Sequence, residues 1–152
     1  MAPYSISRSI RIASPPDVVR QHLVDFRAWQ DWSPWEGLDP NLQRTYSGPE
    51  SGPGAHYAWQ GNKKAGAGSM EMLHATAETI EVQLIFTSPW KATNLVVLTL
   101  QAVDHQTEVT WTMHGENKGI AALFAKVMNM DAMLGKDFEK GLRQLKNVVE
   151  QG

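Results

Sequence analysis

The C-terminal part of the sequence reads VTWTMHG at residues 109–115 and NMDAMLGKDFEKGLRQLK at residues 129–146. In the first segment apolar and polar residues alternate, which is typical of a β-strand with one buried face. In the second segment apolar residues recur at intervals of three and four, which indicates an amphipathic helix. The sequence therefore predicts that this end of the chain forms a strand and then a long helix over residues 131–150.

Six further strands are predicted upstream, most of them from the same alternation and the one at residues 94–103 from a nearly continuous apolar run. They are expected at residues 4–12, 42–46, 55–61, 65–75, 80–86 and 94–103. After the first strand, Ser14 and two prolines predict the start of a helix that continues to Phe26. A short helix and a loop are expected around Trp29, Trp32 and Trp35, and a separate short helix is predicted over residues 120–128.

This order of elements predicts an α+β fold. Strands in an unbroken run with helices at the ends indicate a curved antiparallel sheet of about seven strands around a long C-terminal helix. We expect residues 1–152 to form a single domain.

The amino-acid composition argues against several classes of function. Apolar residues make up 42% of the 152 residues, and 14 Lys and Arg stand against 16 Asp and Glu. This near-neutral charge balance argues against nonspecific electrostatic binding to nucleic acid or to an anionic membrane. The absence of cysteine excludes thiolate metal sites and cysteine nucleophiles. Without a secretory signal or a stretch of about 18 apolar residues, we expect a cytoplasmic protein with no stable membrane insertion.

Large apolar side chains share the inner face of several predicted strands. A helix across a curved sheet fills only part of the concave side, so the rest holds side chains or a ligand. These residues either line a cavity for a small hydrophobic or aromatic ligand or simply form the core. The inward-facing set is Tyr57, Trp59, Met70, Met72, Trp111 and Met113, and Trp35, Asp131, Leu134 and Phe138 complete the predicted lining. Four tryptophans in loops either form a lid or pack the first helix onto the sheet: Trp29, Trp32, Trp35 and Trp90.

The element order resembles the SRPBCC/START-like superfamily, and within it the bacterial polyketide cyclase/dehydrase-like group. The segments that carry the resemblance are IRIASPPDVV at 10–19, WQDWSPWEGLDP at 29–40, YAWQGNKKAGAGSMEM at 57–72 and the two C-terminal segments above. The resemblance implies a helix-grip fold with a hydrophobic cavity between the sheet and the last helix. It does not imply an activity, because a fold does not fix a function.

Two charged residues fall on apolar faces. Asp131 lies on the stripe of the last helix, where it is either a general base, an anchor for a ligand hydroxyl or amine, or a helix-end charge. Arg8 lies on the apolar face of the first strand. Arg8 either pairs with a carboxylate, the candidates being Asp131, Glu116 and Glu71, or reaches water at the end of the sheet.

Among the histidines, His74 is the strongest candidate for a catalytic role. It shares a strand phase with Met70 and Met72, so we expect it to reach the cavity. The five histidines show no metal-ligand spacing, so neither a metal site nor a cofactor is predicted.

The leading hypothesis is a binding protein for a small hydrophobic molecule in this cavity, with no assigned reaction. The alternative is a polyketide cyclase/dehydratase- or isomerase-like enzyme, with Asp131 or His74 as base and Arg8 or a tyrosine as electrophile. A protein-interaction module is disfavoured by the charged outer face of the last helix. A homodimer is compatible with the sequence.

Overall fold

The computed structural model describes residues 3–34, 36–37, 39–63, 65–88, 91–116 and 124–151, with side chains for these residues except 3, 4, 116 and 124–133. The strands are β1 (Pro3–Ile12), β2 (Gln43–Ser47), β3 (His56–Gln60), β4 (Ala67–Ala75), β5 (Thr79–Ser88), β6 (Ala92–Val103) and β7 (Gln106–Glu116). The helices are α1 (Pro16–Gln21), a 3₁₀ helix (Ala28–Asp31) and α2 (Phe124–Gln151).

The seven strands form one antiparallel sheet in the order β1-β7-β6-β5-β4-β3-β2. Each strand from β2 to β7 pairs with its neighbour in sequence, and β1 closes the order beside β7. The predicted α+β helix-grip architecture is confirmed, and strand ends differ from the prediction by a few residues. The separate short helix predicted over residues 120–128 is wrong from Phe124 onward, since no glycine or proline interrupts the helix between there and residue 134.

The first helix is shorter than predicted. Helix α1 ends at Gln21, and two indole N–H groups occupy the carbonyls that a longer helix would use. Trp29 Nε1 donates to Leu23 O and Trp32 Nε1 donates to His22 O, both at 2.9 Å. The apolar spacing up to Phe26 therefore reflects packing of a compact turn rather than a continued helix.

The second half of α2 is packed directly against the sheet. Phe138 stacks on Trp111 of β7, and a Cβ added at Gly141 would lie 2.7 Å from Pro34 Cδ and 3.0 Å from Trp111 Cζ3. A side chain larger than hydrogen at Gly141 would therefore push the helix away. On the other side Trp111 meets Trp32 edge-on, with ring centroids 5.6 Å apart. We call this packed region, around Trp111, the closed half of the interior.

Candidate ligand-binding site

The strand phases predicted for the large apolar residues are confirmed. Five of the six inward-facing residues are buried, and the sixth, Trp59, is half-buried and packs against the core. The buried five are Tyr57, Met70, Met72, Trp111 and Met113. The structure therefore places the whole set on the side of the sheet that faces the core, and the role of these residues as a ligand lining stays a proposal.

The inner face divides into two parts. Trp111 and Phe138 are 0% exposed and contact each other in the closed half. These residues form the core there. At the other end of the sheet, Trp59 and Phe86 are only half-buried although they point inward, and Leu134 of α2 is half-buried too. Inward-facing apolar side chains that stay partly exposed are therefore found at the β3–β5 end.

We call Tyr57, Trp59, Met70 and Phe86 the aromatic face. Tyr57 and Trp59 are stacked with ring centroids 6.0 Å apart, and Phe86 meets Trp59 edge-on at 5.8 Å. Met70 stands opposite Tyr57 in the pairing of β3 with β4. Flat rings beside an adaptable thioether suit an apolar ligand of irregular shape.

The orientation of Trp59 is fixed by its surroundings. Its indole lies over Gly68, because a Cβ at Gly68 would be only 2.6 Å from Trp59 Cη2. Trp59 Nε1 donates a hydrogen bond of 2.9 Å to Ala65 O. The polar end of the indole is therefore satisfied by the protein, and its apolar surface is what remains for contact.

A polar group borders the aromatic face. Arg44 of β2 stands opposite Trp59, and its Nη2 donates to Glu36 Oε1 in the loop after the 3₁₀ helix. The Arg44 guanidinium is near enough to the Tyr57 hydroxyl to act on the pKa of that group. We call Glu36, Arg44 and Tyr57 the anchor cluster. The side chains of Arg44 and Glu36 are 29% and 19% exposed, so the ion pair is only partly solvated.

The anchor cluster has a defined protonation state. Burial, reinforced by the negative charge of Glu36, raises the pKa of Tyr57 to about 12, although Arg44 acts in the opposite direction. The hydrogen bond to Glu36 raises the pKa of Arg44. Near neutral pH the Tyr57 hydroxyl is therefore protonated and Arg44 is positively charged.

Tyr57 is held in place by a neighbouring tyrosine. Tyr46 stands opposite it on β2, with ring centroids 5.1 Å apart. The Tyr46 hydroxyl accepts a hydrogen bond of 2.5 Å from Gln30 Nε2, and the Arg27 guanidinium lies 4.6 Å above the Tyr46 ring. Burial raises the pKa of Tyr46 as well. The hydroxyl of Tyr46 is therefore engaged by the protein itself.

Sequence reasoning identified Tyr57 but missed Arg44 and Glu36, the other two residues of the anchor cluster. The strand signal near residues 42–46 is short, and only its pairing with β3 shows that Arg44 and Tyr46 face inward. Their spacing of two residues is the available signal, because it places an arginine in phase with a tyrosine. Glu36 lies in a loop, where no periodicity marks it.

Arg8 lies on β1, where this strand contacts α2. Its Nε donates to Glu139 Oε2 at 3.0 Å and its Nη1 to Ser7 O at 2.8 Å. The guanidinium lies against Gly135, where an added Cβ would be 2.1 Å from Nη2. Glu71, suggested as a partner, is exposed on the outer face of β4 because it is out of phase with Met70 and Met72, so that suggestion is wrong. The side chains of Glu116 and Asp131 lie outside the described residues.

The expectation that His74 faces the interior is wrong. The pairing of β4 with β5 shifts register between Met72 and His74, which is the mark of a β-bulge. After the bulge Ala75 packs against the core and His74 is exposed. One extra residue reverses the phase, so counting in steps of two fails there.

The structure describes two of the four loop tryptophans. Trp29 and Trp32 are buried against Trp111, which supports their packing role. Trp35 and Trp90 lie outside the described residues, so a lid formed by them stays a prediction.

Two surface depressions lie elsewhere. The larger, of about 420 Å³, is lined by Asp39, Asn41, Gln43, Gln60 and Gly61, none of which is buried. The smaller, of about 210 Å³, lies where Pro15 and Pro16 meet the β6–β7 turn. Among the described side chains, no three His, Asp or Glu residues are grouped so that they could hold a metal ion. Within the same ranges, no helix is long and apolar enough to span a membrane.

A seven-stranded antiparallel sheet, short helices after the first strand and a long C-terminal helix define the helix-grip fold of the SRPBCC superfamily. The chain belongs to the family described as polyketide cyclase / dehydrase and lipid transport, whose model matches residues 3–150, and its fold is a ligand-binding fold. A comparison with curated protein sequences gave no match.

Solved structures agree with this assignment of the fold. Ara h 8.0201 superposes with a TM-score of 0.70 at 13% identity, covering 99% of this chain and 100% of that one. The Aha1 dimer from Colwellia psychrerythraea gives 0.65 at 18% identity, covering 97% and 96% of the two chains. DynU16, from the dynemicin biosynthetic locus, gives 0.65 at 16% identity, covering 96% of this chain and 47% of that one. At these identities the likeness shows the fold alone.

Proposed function

We propose that this chain binds a small hydrophobic molecule on the aromatic face, between the sheet and the C-terminal helix, without a reaction being required. One observation carries the proposal. Trp59 and Phe86 point to the inner side of the sheet and are nevertheless only half-buried, whereas the inward residues of the closed half are fully buried. Concave apolar surface with a few fixed polar groups is the usual character of a small-molecule site.

The surroundings of Trp59 and the family support this proposal. The indole of Trp59 is locked by Gly68 and Ala65, so its surface is pre-organised and little conformational entropy would be lost on binding. The family description includes lipid transport, which is compatible with an apolar cargo. Leu134 is half-buried and is our candidate for contact from α2, and Asp131 and Trp35 stay predictions from the sequence.

The test is a titration of the folded protein with an apolar naphthalene probe, followed by tryptophan fluorescence. We expect an affinity of about micromolar, or about −8 kcal/mol. Trp59→Ala should weaken binding by about tenfold or more, because it removes the largest ring of the aromatic face. Ile85→Ala is the matched control, since Ile85 is also half-buried on β5 but faces the outer side, next to Phe86. Equal binding by both variants would refute the proposed site.

A second candidate function is an enzyme that activates a carbonyl ligand. The observation that favours it is the protonated Tyr57 hydroxyl beside a charged arginine, which is a reasonable electrophile for a carbonyl oxygen. With His74 exposed, the carboxylates left as candidate bases are Glu36 of the anchor cluster and Asp131 of α2.

Exchange with deuterium separates the two functions. A methyl ketone is incubated with the protein in deuterated buffer, and loss of its α-proton signal is followed by NMR. An enzyme would exchange this proton faster than buffer, and Asp131→Asn would slow the exchange by about a hundredfold if Asp131 is the base. A binding protein would leave exchange at the buffer rate, and Asp131→Asn would change affinity by less than about tenfold.

A homodimer and a cytoplasmic location stay predictions. One structural neighbour is described as a dimer, which makes self-association of this chain worth measuring. Light scattering on the purified protein, across a range of concentrations, gives the mass of the species in solution. A single protomer mass at all concentrations would exclude a stable homodimer.

A further inference from the structure

Tyr57 is a mostly buried residue whose hydroxyl lies next to a charge pair. Tyr57 is 7% exposed, and the guanidinium of Arg44 is its polar neighbour. An arginine has no acceptor, so toward Arg44 the Tyr57 oxygen can only accept. The structure gives the Tyr57 proton no hydrogen-bond acceptor among the described residues. The Tyr57 hydroxyl is not among the fully buried side-chain atoms that lack a partner in the described part of the chain, so solvent reaches it. A ligand oxygen could therefore replace the water that accepts this proton.

The ion pair between Arg44 and Glu36 determines which kind of ligand oxygen can bind next to Tyr57. Arg44 and Glu36 carry opposite charges and are hydrogen-bonded to each other, so the anchor cluster has no net charge. A ligand carboxylate would lose its hydration and meet Glu36 without gaining an uncompensated cation. A neutral carbonyl oxygen loses less hydration and still accepts the Tyr57 proton.

We infer that the anchor cluster binds the carbonyl oxygen of a neutral, otherwise apolar ligand, such as a ketone, quinone or ester, whose apolar body lies on the aromatic face. The inference rests on the proposed function, because it names the polar end of the same ligand. Arg44 stands opposite Trp59, so the anchor cluster is at the border of the aromatic face and not separated from it. Tyr57 belongs to both groups and joins the two parts of the site.

The test uses three probes with the same naphthalene body: acetylnaphthalene, isopropylnaphthalene and naphthoate. Each is titrated by calorimetry or NMR against wild type, Tyr57→Phe, Tyr46→Phe and Glu36→Gln, after each variant is shown to be folded by circular dichroism. Comparing each probe across variants removes the difference in hydrophobicity between the probes. Tyr46→Phe is the matched control, because the Tyr46 hydroxyl is already bonded by Gln30.

We expect Tyr57→Phe to weaken acetylnaphthalene by about tenfold, the worth of one buried hydrogen bond, and isopropylnaphthalene by less than about twofold. Tyr46→Phe should change neither affinity by more than about twofold. Glu36→Gln should strengthen naphthoate by about fivefold or more, because Arg44 is then an uncompensated cation. These three results together support a neutral carbonyl as the recognised group.

The results that would overturn the inference differ from those that would overturn the proposed function. If isopropylnaphthalene binds and Tyr57→Phe weakens both neutral probes equally, the carbonyl anchor is refuted while hydrophobic binding stands. If no probe binds the folded wild type, the proposed function fails as a whole. Should Tyr57→Phe not fold, the Glu36→Gln arm decides, since unchanged naphthoate affinity there refutes the role of the charge pair.

Discussion

The indole of Trp111 and the phenyl ring of Phe138 stack with their centroids 4.5 Å apart and their planes 12° apart. This contact joins β7 directly to α2 and leaves no room for a ligand between them. Both residues belong to the apolar lining predicted from the sequence, and both are core residues in the structure. Any ligand surface of the interior therefore has to be sought toward β3, β4 and β5, where the aromatic face lies.

Two single variants, Phe138→Ala and Phe86→Ala, should distinguish a residue of the packed core from a residue of the proposed ligand surface. Phe138→Ala should lower the free energy of unfolding by about 3–5 kcal/mol, because it opens a cavity in fully packed surroundings. Phe86→Ala should cost clearly less, because Phe86 is already partly exposed. Urea unfolding followed by circular dichroism measures both values. Equal losses would mean that the two ends of the interior are packed alike.

Gly141→Ala should destabilise the protein although alanine favours helices by about 1 kcal/mol over glycine. The added methyl group would lie 2.7 Å from Pro34 Cδ and 3.0 Å from Trp111 Cζ3, so the helix or these side chains must shift. We expect a net loss of about 1–3 kcal/mol by thermal or urea unfolding. Asn147→Ala, at an exposed position of the same helix, is the control and should be neutral or stabilising. A stabilised Gly141→Ala protein would show that α2 is not held this close to the sheet.

The ion pair between Arg8 and Glu139 should contribute little. The two side chains are 28% and 50% exposed, and pairs with this much solvent contribute about 0.2–1 kcal/mol. A double-mutant cycle with Arg8→Met and Glu139→Gln measures the coupling free energy directly. A coupling of about 3 kcal/mol or more would instead identify a buried pair whose disruption leaves an unpaired charge.

Stability should fall at alkaline pH through Tyr57. Its pKa is raised from 10.0 in the unfolded chain to about 12 in the folded protein, mainly by burial. The unfolded chain therefore loses this proton first, and the stabilisation present below pH 10.0 is lost as pH rises toward about 12. The loss is at most about 2–3 kcal/mol. Urea unfolding of wild type and Tyr57→Phe between these pH values should show a difference in free energy that changes with pH. Parallel curves would mean that Tyr57 titrates normally.

The sequence allowed the sheet to be predicted nearly strand for strand, because a buried face imposes a period of two that residues such as Tyr57, Met70 and Trp111 display. It also allowed the inner face to be predicted, since in-phase residues share a face. The prediction that His74 faces the interior was wrong because the β-bulge arises from the pairing of β4 with β5. This pairing leaves no mark in the local sequence pattern. Helix α1 was predicted too long because indole donors from residues ahead in the chain end it.

Which part of the inner face is filled could not be predicted, since this depends on contacts distant in sequence. Gly141 brings α2 onto Trp111, and Arg44 meets Glu36 across a loop and a strand. Neither contact has a periodic signal, and both follow from how complete elements pack. The aromatic face and the anchor cluster are therefore products of tertiary structure, although each of their residues stands at an ordinary strand or loop position.

The most direct test of the ligand surface is an NMR titration of folded protein, carrying ¹³C-methyl methionine, with isopropylnaphthalene. We expect the Met70 methyl signal to shift and saturate at about micromolar affinity, with intermolecular NOEs from the probe to Trp59. The Met72 methyl signal, from a fully buried residue two positions along β4, should stay unchanged. No saturable shift of Met70 in folded protein, or NOEs only to residues outside the aromatic face, would contradict the account.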